Sequence, residues 1–299
     1  MPTAPQTLSK LLRSNPHIHA AWFDTNNNPS ALVILRDDAA DSVTLKLPDN
    51  LRHLRITVHS TQPFKILRLP ADQVTLRNQN QGCQNEPIQL GTQIQPQGAD
   101  WLGTAGAPVS WLDHQKTRHW GILSNWHVMA DGDERVGRTQ HQPDTNRPAI
   151  ARLSHWSSVT PHLNHTIDAA IADALLDDFH TITDEIIGIG PIGVQPLDAQ
   201  VGLNVAKSGR TTGVTNATCT AVGASVRVSY GDFTATLNDQ DVYSADNDIF
   251  SAPGDSGSLI VGAACRSPTS LLFAGSDTLT IGNPIRHINH AFGLVYPFF

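Results

Sequence analysis

Toward its C-terminal end the chain carries Pro253-Gly254-Asp255-Ser256-Gly257-Ser258, a serine set in a glycine-flanked turn. Glycine has no Cβ, so the backbone there can turn sharply and bring successive N–H groups onto one point. The N–H groups of Gly254 and Ser256 are a pair that could receive an oxyanion, where one such donor is worth about 3–4 kcal/mol in a transition state. A serine hydroxyl is a poor nucleophile until a base takes its proton, and an imidazole titrating near neutrality suits that task. Gly121-Ile-Leu-Ser-Asn-Trp-His127-Val-Met-Ala130 places one histidine at the end of an apolar run. Asn164-His-Thr-Ile-Asp168-Ala-Ala-Ile supplies an acid that could hold the other ring N–H and fix the tautomer. Each piece alone has an ordinary reading: Gly, Asp and Ser are turn residues, and an Asp before small residues is often a turn or a cap. Their order is the informative part.

That order is His127, Asp168, Ser256. Hydrolases built on Gly-x-Ser-x-Gly run serine, acid, histidine, and position 258 here is Ser; subtilisin-type enzymes run acid, histidine, serine. Leu123-Ser-Asn-Trp-His127-Val, Asp168-Ala-Ala-Ile and Gly254-Asp-Ser256-Gly resemble the three catalytic segments of the chymotrypsin-fold (trypsin-like) serine peptidases. Lys207-Ser-Gly-Arg-Thr-Thr-Gly213 resembles a run found in secreted bacterial members of that family. The resemblance spans roughly residues 95–290.

What the resemblance implies is an all-β fold of two six-stranded antiparallel β-barrels with a C-terminal helix, and a serine endopeptidase that needs no cofactor and no metal. His127, Asp168 and Ser256 would be the triad, and Gly254 and Ser256 the oxyanion hole. Asp255 would be buried and paired, since an unpaired buried charge is very costly. Animal trypsins pair it with a newly cut amino terminus; Ile88-Gln-Leu-Gly91 is a poor substitute, and Lys207 occupies the place of the basic side chain that bacterial relatives use. Activation by exposing a new amine is therefore not expected. Phe250, six residues before the serine, would floor the first substrate pocket and favour a small or medium apolar residue. Asp246 and Asp248 lie close enough that a two-residue slip would restore a basic preference. The opposite wall would be Phe273-Ala274-Gly275-Ser276, a strand able to pair with an extended substrate.

The 299 residues, 39% hydrophobic and 16% charged, with 22 Gly and 19 Pro, suit a turn-rich β protein. A net charge of −7 without a Lys/Arg-rich run argues against nucleic acid as a partner, and no apolar run approaches a membrane span. No secretory signal is visible at the start, and the three cysteines, Cys83, Cys219 and Cys265, are an odd set without motif spacing, which points to a reducing cytoplasm. His162 and His165 lack the further ligands a metal would need.

Residues 1–70 read as a small α+β unit, with a helix over Thr7–Arg13, strands over His17–Phe23, Ala31–Arg36 and Leu54–His59, and a turn at Asn26-Asn27-Asn28-Pro29. It is either a propeptide, regulatory or recruiting module through which a regulating protein could act, or an extension that packs on the rest. Residues 71–95 read as a polar linker, 96–190 as the first barrel with His127 and Asp168, and 191–299 as the second barrel with Ser256. Asn283-Pro284 followed by Ile285, Ile288 and Phe292 on one face, then Gly293, gives a full helix signature. The functional expectation is an intracellular serine endopeptidase of narrow, regulated specificity acting on a protein or peptide. The alternatives are a catalytically silent binding scaffold, or an enzyme that cuts itself once, in the linker at 77–87 or at its own C-terminus (Tyr296-Pro-Phe-Phe299).

Overall fold

A computed structural model describes residues 4–24, 31–37, 44–73, 87–161, 163–175, 182–245 and 249–295. The Asn26–Pro29 turn, most of the linker, Cys83, His162, Asp246, Asp248 and Tyr296–Phe299 lie outside the described residues.

Apart from three helices and two short 3-10 turns, the regular structure of the described residues is β. Strands Leu69–Pro70, Trp101–Ala105, Thr92–Pro96, Thr139–His141, Ala149–Ser157, Ala169–Ala174, Arg118–Ser124 and Ala107–Leu112 pair in that spatial order as an eight-stranded sheet. A second, eleven-stranded sheet runs Asn164–His165, Thr234–Ser244, Leu279–Pro284, Pro268–Gly275, Leu259–Gly262, Asn204–Gly209, Gly213–Ser229, Ile18–Asp24, Ala31–Arg36, Arg55–Ser60. In it Gly213–Ser229 also pairs with Thr234–Ser244, and Phe64–Ile66 attaches off the main path. Ile88–Leu90, Ile182–Ile186 and Gly190–Pro191 make a three-stranded sheet; with Thr92–Pro96 in the eight-stranded one, the end of the expected linker is mostly strand.

Two six-stranded β-barrels behind a separate α+β unit is therefore not the arrangement, and that expectation is corrected. Gly213–Ser229 is 17 residues long and pairs with Asn204–Gly209 at one end and Ile18–Asp24 toward the other. The N-terminal strands thus extend the sheet that carries the serine lobe. A few isolated strands cannot hide both faces and edges, so joining a larger sheet is the stable outcome. The N-terminal helix, Ala4–Ser14, buries Leu8, Leu11 and Leu12 at helical spacing against Ile18, Leu32, Ile34 and Leu51.

At the other end Ile285–Phe292 is helical and stops at Gly293 in the left-handed region (φ 62°). The residue before the helix is Pro284, and no side chain caps it. Asn283, whose place in the helix signature suits a cap, instead accepts the backbone N–H of Asp168 at 2.8 Å and donates to Gln240 at 2.6 Å. Its hydrogen-bonding capacity serves the site rather than the helix.

Candidate active site

Three separate pieces of chain bring the expected triad together. His127 lies in the single turn Trp126–Met129 that follows Arg118–Ser124, Asp168 just precedes Ala169–Ala174, and these two strands are hydrogen-bonded neighbours. Ser256 arrives from the other sheet on the loop before Leu259–Gly262. His127 Nδ1 lies 2.6 Å from Asp168 Oδ2, and His127 Nε2 lies 2.8 Å from Ser256 Oγ. All three residues are fully buried.

The carboxylate of Asp168 is held from several sides. The backbone N–H of His127 donates to Oδ1 at 3.2 Å and the Tyr230 hydroxyl donates to Oδ2 at 2.8 Å. Burial, with Asp168 beside it, holds the Tyr230 hydroxyl protonated well above its ordinary range, so it remains a donor. Asn125 donates to the Asp168 carbonyl at 2.8 Å. An aspartate so fixed can orient only one edge of the imidazole.

The serine loop is clamped to the first sheet by backbone contact. Gly254 and Gly257 have φ of 103° and 96°, conformations that side-chain-bearing residues rarely adopt. A Cβ on Gly106 would lie 2.0 Å from the Gly257 carbonyl oxygen, so only glycine permits this approach. The Thr104 N–H donates to the Ser256 carbonyl and its hydroxyl to the Gly254 carbonyl, each at 2.8 Å. Behind the serine, Lys207 Nζ lies 3.3 Å from Asp255 Oδ2 with both side chains fully buried. Desolvation pulls the Lys207 pKa down while Asp255 pushes it back up. Asp255 also accepts from the Thr212 hydroxyl (2.7 Å) and from the N–H groups of Thr211 (2.8 Å), Thr212 (3.2 Å) and Ala252 (3.0 Å).

The N–H groups of Gly254 and Ser256 point to one place, and both donate to the carbonyl of Leu67, at 2.6 and 3.4 Å. Ala274 and Gly275 pair with Ile66 and Lys65. Phe250 is buried in one apolar cluster with Leu67, Tyr243 and Leu272. Ser276 does not face that chain: its N–H and hydroxyl close a tight turn with Leu279. Sequence reasoning missed Tyr230, Thr104, Asn283 and the segment around Leu67. None carries a local pattern that points to the site, because each is recruited from a distant part of the chain. Among the described residues no three His, Cys, Asp or Glu side chains converge as metal ligands, and the His165 ring lies against Thr160. Among them, too, no helix is long and apolar enough to cross a membrane.

No protein-family model and no curated protein sequence matches the chain. Solved structures do. An alpha-lytic protease homologue (N4) superposes with a TM-score of 0.51 at 16% identity, covering 70% of this chain and 98% of its own. A glutamic acid-specific serine protease, described as using a histidine triad in substrate binding, gives 0.50 at 21% identity over 70% of this chain and all of its own. A Cellulomonas bogoriensis chymotrypsin has a TM-score of 0.49 at 21% identity, over 71% and 100%. At these identities the likeness is one of fold: the chain has the chymotrypsin/trypsin-like fold of bacterial serine proteases. Within that fold His127, Asp168 and Ser256 stand in the geometry of a Ser-His-Asp triad.

Proposed function

We propose that this protein is a serine endopeptidase that works inside the cell with narrow, regulated specificity. The observation that carries the reading is the continuous hydrogen-bonded line Asp168–His127–Ser256, with the Gly254 and Ser256 N–H groups converging beside the serine oxygen. Ser256 Oγ attacks the substrate carbonyl while His127 Nε2 takes its proton. The Gly254 and Ser256 N–H groups hold the oxyanion. His127 then hands the proton to the leaving amine, and a water repeats the sequence to release the acid. Asp168 keeps the proton of neutral His127 on Nδ1, so that Nε2 faces the serine as a base. The Lys207–Asp255 pair locks the turn that aims the N–H groups, without a cut amino terminus.

Support for an intracellular setting comes from the thiols. Among the described residues Cys219 and Cys265 are both free, and burial pushes Cys219 up to about 12, which leaves it inert. Residues 1–70 are the proposed seat of regulation, since residues 64–67 lie along the expected substrate strand. The pocket floored by Phe250 favours an apolar side chain, Leu67 being the example at hand.

The test is labelling by a fluorophosphonate serine probe in wild type, Ser256→Ala and Leu67→Asp, the last to move Leu67 out of an apolar pocket. Labelling confined to proteins that retain Ser256 is expected. A Leu67→Asp protein that is folded yet unlabelled would favour the silent scaffold instead.

A further inference from the structure

Residues 65–70 cross the catalytic groove, held on both flanks as a bound peptide would be. Lys65 and Ile66 pair antiparallel with Gly275 and Ala274, and the Leu67 N–H donates to the Phe273 carbonyl at 3.2 Å. Leu67 is 7% exposed, in the cluster with Phe250, Tyr243 and Leu272, and a Cβ on Gly275 would lie 3.2 Å from its Cδ1. Gly275 is thus the wall the leucine lies against. The Leu67 carbonyl occupies the Gly254/Ser256 N–H pair, and the Leu67 N–H lies 3.0 Å from Ser256 Oγ.

Past the peptide bond the chain is gripped by the other lobe. Arg68 Nη1 donates to Asp131 Oδ2 at 2.7 Å and to the His127 carbonyl at 3.4 Å, and its guanidinium lies 4.3 Å over the Trp101 ring. Leu69 and Pro70 pair antiparallel with Leu102 and Trp101. Strand pairing on both flanks, an apolar side chain in the pocket and a carbonyl in the donor pair are together the features of a substrate in place.

We infer that the Leu67–Arg68 peptide bond is an intramolecular substrate of Ser256, cut by the chain that contains it; this rests on the serine-endopeptidase reading above. The self-cutting alternative read from the sequence puts the cut in the linker at 77–87 or at the C-terminus; the cut inferred here is at Leu67–Arg68. Ser256 Oγ bonds to the Leu67 carbonyl carbon and gives its proton to His127. The Leu67–Arg68 bond breaks, and the Arg68 nitrogen leaves as an amine with that proton. A water then cleaves the Leu67 ester, giving a Leu67 carboxylate and restoring the serine hydroxyl. The products are a new carboxyl terminus at Leu67 and a new amino terminus at Arg68.

The experiment follows full-length wild type, Ser256→Ala, Leu67→Met and Leu67→Asp by intact mass and N-terminal sequencing after expression. Wild type and Leu67→Met should break between residues 67 and 68 at a rate independent of protein concentration, while Ser256→Ala stays whole. Leu67→Asp should cut at least about 100-fold more slowly, because an unpaired carboxylate would enter an apolar pocket. A wild-type chain that remains whole, is cut elsewhere, or is cut equally in Ser256→Ala overturns the inference. Fluorophosphonate labelling then separates the two readings. An uncut chain whose serine labels, in wild type or in Leu67→Asp, leaves an endopeptidase whose groove holds a strap it does not cut. An uncut chain labelled in neither removes both.

Discussion

Asp168 and Asp255 are fully buried aspartates that meet the same physical problem with different partners. Asp168 is surrounded by an imidazole, a phenol hydroxyl and a backbone N–H. Asp255 faces a lysine, a threonine hydroxyl and three backbone N–H groups. The first set is built around a ring that can exchange a proton with Ser256; the second contains a buried lysine and joins two loops. One carboxylate is therefore placed beside a group able to transfer a proton, and the other lies where it holds the serine turn. Asp241 is a third case. It is fully buried, but its Oδ2 accepts from the Ser270 hydroxyl at 2.6 Å and its Oδ1 has no partner. Burial pushes its pKa up to about 7, against the Ser270 hydrogen bond and the nearby Arg286.

The sharpest way to break this contrast is Asp168→Asn. The amide would donate to Nδ1 and force the wrong tautomer while leaving the packing intact. Turnover of a leucine-containing peptide should fall by about 10⁴-fold with little change in melting temperature. Lys207→Met should act the other way round. It leaves Asp255 buried without its cation and should cost about 3–5 kcal/mol of stability in urea unfolding, and activity should collapse with it. Pairing that change with Asp255→Asn should recover part of the stability, since no unpaired charge then remains. Normal turnover in Lys207→Met would show that the pair has no part in holding the turn.

Asp241→Asn should have the smallest effect, confined to pH. An aspartate in the unfolded chain titrates near about 4. Between that value and about 7 the folded state keeps a proton that the unfolded state has lost. The wild type therefore loses stability as pH rises through this window and levels off above it. The variant lacks that slope, so its melting temperature should gain a few degrees on the wild type between pH 4 and pH 8. Parallel curves would mean that Asp241 is solvated or ionised when folded.

The triad geometry of His127, Asp168 and Ser256 was largely legible in the chain. Gly254-Asp-Ser256-Gly, His127 after its apolar run and Asp168 before Ala-Ala-Ile are local patterns whose order carries meaning, and the run at Lys207 marked the partner of Asp255. Asn283 shows where such reading goes astray. Its position before a proline and an apolar helical stripe is a cap signal, yet its side chain is taken by Asp168, 115 residues away.

Sequence by itself determined which groups can do the chemistry, because nucleophile, base and acid are properties of residue type and neighbouring glycine. Tertiary structure alone decided how the strands group, and that Gly213–Ser229 carries the N-terminal strands into the serine lobe's sheet. It alone placed Leu67 in the donor pair, Tyr230 on Asp168 and Thr104 on the serine loop. Those contacts join residues far apart in the chain, and they depend on backbone pairing and burial, which leave no periodic or compositional mark on the residues involved.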